Sequence, residues 1–88
     1  MNKINVLNGR YVDKLGALST IQSMGVEWTV KQVEKTAETN HQGQRLWPWF
    51  KDPKGKLRID EGFIRFEFQQ RQANAFKKWL EHQNEPGL

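Results

Sequence analysis

The chain has no cysteine, only three prolines and no long apolar run. Without cysteine there are no disulfides and no thiolate zinc sites, a pattern that fits a reducing compartment. No apolar stretch approaches the roughly 18 residues that a membrane span needs. The first residues, MNKINVLNGRY, lack the apolar centre of a signal peptide. A soluble cytoplasmic protein is expected. Signs of catalysis are also missing. His41 and His82 have no carboxylate cluster at metal-ligand spacing, Ser19 and Ser23 have no nucleophile-elbow context, and there is no glycine-rich phosphate loop. The carboxylate pair Asp60-Glu61 stands beside Gly62 and reads as a loop. No catalytic residue, metal or cofactor is expected, and the chain reads as a binding protein rather than an enzyme.

What is present is aromatic bulk and a local excess of positive charge. With 88 residues the chain is long enough for one small domain, expected over residues 1–83. Residues 84–88, with Pro86 and Gly87, are expected to form a flexible tail. Only 36% of residues are hydrophobic, but four tryptophans and five phenylalanines supply core material. The net charge is +4. Residues 45–58, RLWPWFKDPKGKLR, hold five cations (Arg45, Lys51, Lys54, Lys56, Arg58) against one acid, Asp52, and so equal that net charge by themselves. A basic tip on an aromatic stem suggests a projecting hairpin that meets a polyanion, nucleic acid being the commonest.

Local signals order the rest. Residues 4–7 read as a short extended run, followed by the turn pair Asn8-Gly9. Arg10-Tyr11-Val12 is a return strand or a lead-in to a helix. Asp13 is a good N-cap for a first helix whose apolar residues are Leu15, Leu18, Ile21 and Met24, with Gly25 placed to stop it. Thr29-Val30-Lys31-Gln32 is a capping box for a second helix with Val30, Val33 and Ala37 on its apolar stripe. Two helices joined by a short turn containing glycine match a helix-turn-helix. Residues 45–50 then read as a strand, with Asp52-Pro53-Lys54-Gly55 as the turn. The return strand is ambiguous: residues 57–59 alternate, and so do residues 64–68. The longer hairpin, with residues 63–69 returning beside 45–50, is favoured. A last helix over about residues 72–82 would pack Ala73, Phe76, Trp79 and Leu80. The expected fold is α+β, a small winged helix-turn-helix: short N-terminal strand, two helices, two-stranded wing, C-terminal helix.

Two groups of residues fit DNA chemistry. On the second helix, Thr29, Lys31, Gln32, Lys35 and Thr36 are types that read base edges or bind phosphate from the major groove. The alternative is an ordinary solvated face in which Lys31 and Lys35 pair with Glu34 and Glu38. On the hairpin, Lys51, Lys54, Lys56 and Arg58 could meet phosphates or enter the minor groove. Trp28, Trp47, Trp49 and Trp79 could stack on single-stranded bases. In so short a chain they are better read as core, with Trp47, Trp49 and Phe50 anchoring the wing and one tryptophan left partly exposed for a partner.

The arrangement resembles the excisionases of phages and integrative elements, small winged-helix recombination directionality factors. The resemblance runs over about residues 9–83. Gly9-Arg10-Tyr11-Val12 is similar to the family's aromatic-valine lead-in, and Met24-Gly25-Val26 with residues 29–39 to its helix-turn-helix. Asp52-Pro53-Lys54-Gly55 is similar to its wing turn, and Phe76-Lys77-Lys78-Trp79-Leu80 to its closing helix. Trp47-Pro48-Trp49 and the longer run before the last helix depart from the pattern. The resemblance implies sequence-specific binding and bending of double-stranded attachment-site DNA without catalysis. It also implies a tyrosine integrase and neighbouring copies of the protein as partners. Thr29, Lys31, Gln32 and Lys35 would then face the major groove, with Lys54 and Lys56 at the backbone or minor groove. A small phage-type repressor of the same fold, and a protein-binding inhibitor module with a basic wing, are the alternatives.

Overall fold

In the computed structural model, which describes residues 3–83, Asp13 caps the first helix as its chemistry predicts. Its Oδ1 accepts the Gly16 N–H at 2.8 Å, and α1 runs over Lys14–Ser23. Gly25 follows with a φ of +86°, a conformation glycine adopts without the steric cost of a side chain. The chain then crosses to α2, Val30–Ala37, through the complete capping box. The Gln32 N–H donates to Thr29 Oγ1 at 3.3 Å, and the Thr29 N–H donates to Gln32 Oε1 at 2.8 Å.

Three short strands form one antiparallel sheet in the order β1-β3-β2: β1 is Tyr11–Val12, β2 is Phe50–Lys51 and β3 is Leu57–Asp60. Tyr11 pairs with Asp60, and Phe50 pairs with Arg58. The wing is therefore the shorter of the two hairpins the alternation allowed. Residues 63–69 are helical and belong to α3, Glu61–Gln83, which starts well before residue 72. The cause is Asp60. Its Oδ1 accepts the N–H groups of Gly62 (2.7 Å) and Phe63 (3.3 Å), as an N-cap does. The same side chain accepts the N–H groups of Asn8 and Gly9 at 3.0 and 2.8 Å. Asp60 thus joins the N-terminal loop, the central strand and the long helix. Gly62 allows this approach: a Cβ there would collide with the Val6 carbonyl oxygen and lie 2.9 Å from the Asn8 nitrogen. The N-terminal segment Lys3–Val6 forms a 3-10 helix rather than an extended run. The expected tail at residues 84–88 lies outside the described residues.

The core sits between the helices and the sheet. Ile21, Val33, Ile59 and Ile64 are fully buried, each worth roughly 1.5–3 kcal/mol. Beside them Trp28 stacks on Trp47 with centroids 5.4 Å apart, and Phe63 and Phe68 meet Trp47 edge-on. Arg71 lies over both Trp28 and Phe68 and closes this layer. The second half of α3 does not share in the core. Residues 71–83 are all exposed, and the molecule measures 59 × 30 × 28 Å because the helix runs on past the body. Ala73, Phe76, Trp79 and Leu80 therefore do not pack as the helical spacing suggested.

Candidate functional site

The outward face of α2 is set by its inward one. Val33, Thr36 and Ala37 are buried, which leaves Lys31, Gln32, Glu34, Lys35 and Glu38 at the surface. Thr36 is thus withdrawn from the expected contact set. It is 5% exposed, and its hydroxyl donates to the Val33 carbonyl oxygen at 2.6 Å. The sequence carried a signal for this, since Thr36 lies three residues after Val33 and beside Ala37 on the apolar stripe. Thr29 and Gln32 are exposed, but their oxygens are held in the capping box. A bidentate contact with adenine needs both the oxygen and the nitrogen of an amide. Gln32 has only its nitrogen to offer while the cap is closed. Lys31 and Lys35 keep exposed ammonium groups with no ion pair among the described residues.

The hairpin is organised by its single acid. Asp52 Oδ1 accepts the N–H groups of Lys54 and Lys56, both at 2.9 Å, and Oδ2 accepts from Arg58 Nε at 3.2 Å. The Lys56 and Lys54 backbone donors and the Arg58 guanidinium hold the Asp52 carboxyl below its ordinary pKa. Lys56 reaches sideways, with its Nζ 3.4 Å from Asp13 Oδ2. The Asp13 carboxyl is likewise lowered, first by the Gly16 N–H and then by Lys56. The four wing cations therefore divide. Arg58 and Lys56 are ion-paired within the fold, whereas Lys51 and Lys54 are exposed with no ion pair among the described residues. Phe50 does not anchor the hairpin as expected. It is 42% exposed and meets Tyr11 edge-on at 5.2 Å across the sheet.

The hairpin and α2 are joined through Thr36. The Trp49 indole N–H donates to Thr36 Oγ1 at 3.0 Å, and the Trp47 N–H donates to the Thr36 carbonyl oxygen at 3.2 Å. Both tryptophans are buried. Arg45, counted among the basic residues, donates from Nε to the Ala37 carbonyl oxygen at 2.9 Å, where a cation favours the helix C-terminus. A polar turn held by Asn40 Oδ1, which accepts from Gln42 and Gln44, leads the chain from α2 to Arg45. Lys14, not singled out by the sequence, lines a shallow cleft with Glu34, Glu38 and Arg45 on one side and another with Lys56 on the other. Nothing local in the sequence marks Lys14; the packing of α1 against α2 and the sheet places it there. Arg45 is shared by the Lys14 cleft and a neighbouring one that holds Lys35, so charges of both signs run from α2 to the wing, with Glu34 and Glu38 at one end and the Asp13–Lys56 pair at the other.

No family model, curated protein or solved structure matches this chain. Among the described residues, no helix is long and apolar enough to cross a membrane, and no group of three or more His, Asp or Glu is placed to hold a metal ion.

Proposed function

We propose that this protein binds double-stranded DNA as a winged helix-turn-helix, with α2 in the major groove and the β2–β3 hairpin against the adjacent backbone. One observation carries the reading. The helix and the hairpin are fixed to each other by Trp47, Trp49 and Arg45, and both display exposed lysines that have no ion pair among the described residues. A rigid helix and wing at a set spacing is what two adjacent features of a duplex require. Lys51 and Lys54 supply sequence-independent grip. Lys31 and Lys35 are the side chains best placed to read guanine, and Lys14 adds charge between them.

Within that class we favour an excisionase-like architectural factor of the cytoplasm, without catalysis, over a repressor. The support is the order of elements and the residue pattern of the lead-in, turn and wing. Bending a site costs of order 1–6 kcal/mol, so one small domain would act with an integrase or with further copies. The test is fluorescence anisotropy with duplexes from the source element, using the Lys51→Glu/Lys54→Glu double variant. Binding to all sequences should weaken together, at least about tenfold, and the salt slope should fall by about two. Unchanged affinity would overturn the proposal. In a recombination assay with a tyrosine integrase encoded beside it, stimulation of excision supports the architectural role. Promoter silencing alone would favour the repressor.

A further inference from the structure

Gln32 stands on the exposed side of α2 with one end of its amide already committed. Its Oε1 accepts the Thr29 N–H at 2.8 Å and the Thr29 hydroxyl at 3.3 Å. A backbone N–H can only donate, so the amide atom that faces it is the oxygen. Turning the amide over would strand that donor and open the capping box that starts the helix. Nε2 is left with two N–H groups that have no partner among the described residues. On a helix of 3.6 residues per turn, Gln32 lies beside Lys35 and Lys31, and the buried Val33, Thr36 and Ala37 take the opposite side.

We infer that Gln32 reads the major groove as a donor only, selecting a keto base, guanine or thymine, over an amino base, adenine or cytosine. The inference rests on the proposed binding of duplex DNA with α2 in the groove. There guanine presents O6 and N7 and thymine presents O4, all acceptors, whereas adenine N6 and cytosine N4 are donors. An unrestrained glutamine takes adenine by donating to N7 and accepting from N6. With Oε1 held by Thr29, the accepting half of that contact is gone, and an adenine or cytosine amino group meets an N–H instead. Recovering the oxygen means leaving the Thr29 N–H without its acceptor, which gives back much of what the adenine contact would gain. The capping box thus has two effects: it starts α2, and it sets the polarity of the side chain offered to DNA. Lys31 and Lys35 are likewise donors only. The three side chains together favour a contacted strand rich in guanine and thymine.

Selection from a random duplex library with the wild-type chain, Gln32→Glu and Gln32→Ala tests this. Glutamate at this position keeps the capping box, because its carboxylate accepts the Thr29 N–H as the amide oxygen does. It replaces the two free N–H groups by an acceptor, which suits cytosine N4. The wild-type motif should hold a position where guanine or thymine exceeds adenine and cytosine by at least about fivefold. Gln32→Ala should flatten that position, and Gln32→Glu should turn it to cytosine or adenine, with the rest of the motif unchanged. The urea midpoint of Gln32→Glu should match the wild type, which separates loss of the donor from loss of the cap. In the wild-type complex the Thr29 amide should exchange no faster than in the free protein. Adenine at the position that Gln32→Ala flattens, or faster Thr29 exchange on DNA, would mean that the cap opens, and overturns the inference. Variants that leave the motif unchanged, or that weaken all duplexes alike as a phosphate contact would, overturn it too. In each of those cases wild-type duplex binding leaves the proposed function standing. A wild-type chain that binds no duplex overturns both.

Discussion

Trp47 and Trp49 are 4% and 5% exposed, while Trp79 is 55% exposed, although all three sit among basic residues and aromatic neighbours. The first two lie in a segment that returns across α2, where Thr36 offers an oxygen to an indole N–H and to a backbone N–H. The third lies on a helix that continues after the body has ended. Ring content does not decide burial; what the topology brings opposite the ring does. The comparison also separates two tasks. The inner cluster fixes the basic hairpin to α2, and the outer one stays exposed at the surface.

Removing one ring from each cluster is the sharpest way to break that comparison. Trp49→Ala should cost about 3–5 kcal/mol in urea unfolding, since it empties a packed site and removes the indole donor to Thr36 Oγ1. Trp79→Ala should change monomer stability by less than about 0.5 kcal/mol. Equal effects would mean that the two clusters do not differ as described. Asp60→Ala should come next, at roughly 2–4 kcal/mol, because four backbone N–H groups lose one acceptor. Its hydrogen exchange should rise at Asn8, Gly9, Gly62 and Phe63 together. Thr36→Val keeps the shape but leaves the Trp49 N–H buried and unpaired. A cost of about 1–3 kcal/mol is expected, with a loss of duplex affinity if the wing loosens from α2.

The smallest effect concerns pH. Asp13 and Asp52 have folded pKa values below the ordinary 3.8. The stability they contribute is therefore present above the unfolded value and is lost as pH falls through the folded one. The wing residues should lose hydrogen-exchange protection below about pH 4. Asp52→Asn should blunt that change, while at pH 7 the variant should already show a looser hairpin. A wing whose protection is the same at pH 3 and pH 7 would show that the Asp52 network does not hold it.

Much of the local chemistry was legible in the sequence. Asp13, Gly25, the Thr29/Gln32 capping box and the Asp52–Gly55 turn act over a few residues, and each appears where its side chain predicts. What was not legible depended on distant partners. Ile64, Phe66 and Phe68 alternate like a strand, but Asp60 starts a helix there while also holding Asn8 and Gly9, some fifty residues earlier in sequence. Periodicity placed Phe76, Trp79 and Leu80 on an apolar face, and it could not say whether anything packs against that face. The candidate site shows the same division. The basic wing was visible as a run of charges. Its split into paired Lys56 and Arg58 and a Lys51 and Lys54 with no ion pair among the described residues, the placing of Lys14 and the inward turn of Thr36 all come from tertiary packing.

As proposed, α2 and the hairpin bind duplex DNA as one rigid surface. Titrating salt against binding to double-stranded DNA tests it most directly. With Lys14, Lys51 and Lys54 contributing roughly three phosphate contacts, log affinity should fall with log salt at a slope near −3. A slope near zero, or no duplex binding at moderate salt, would contradict it.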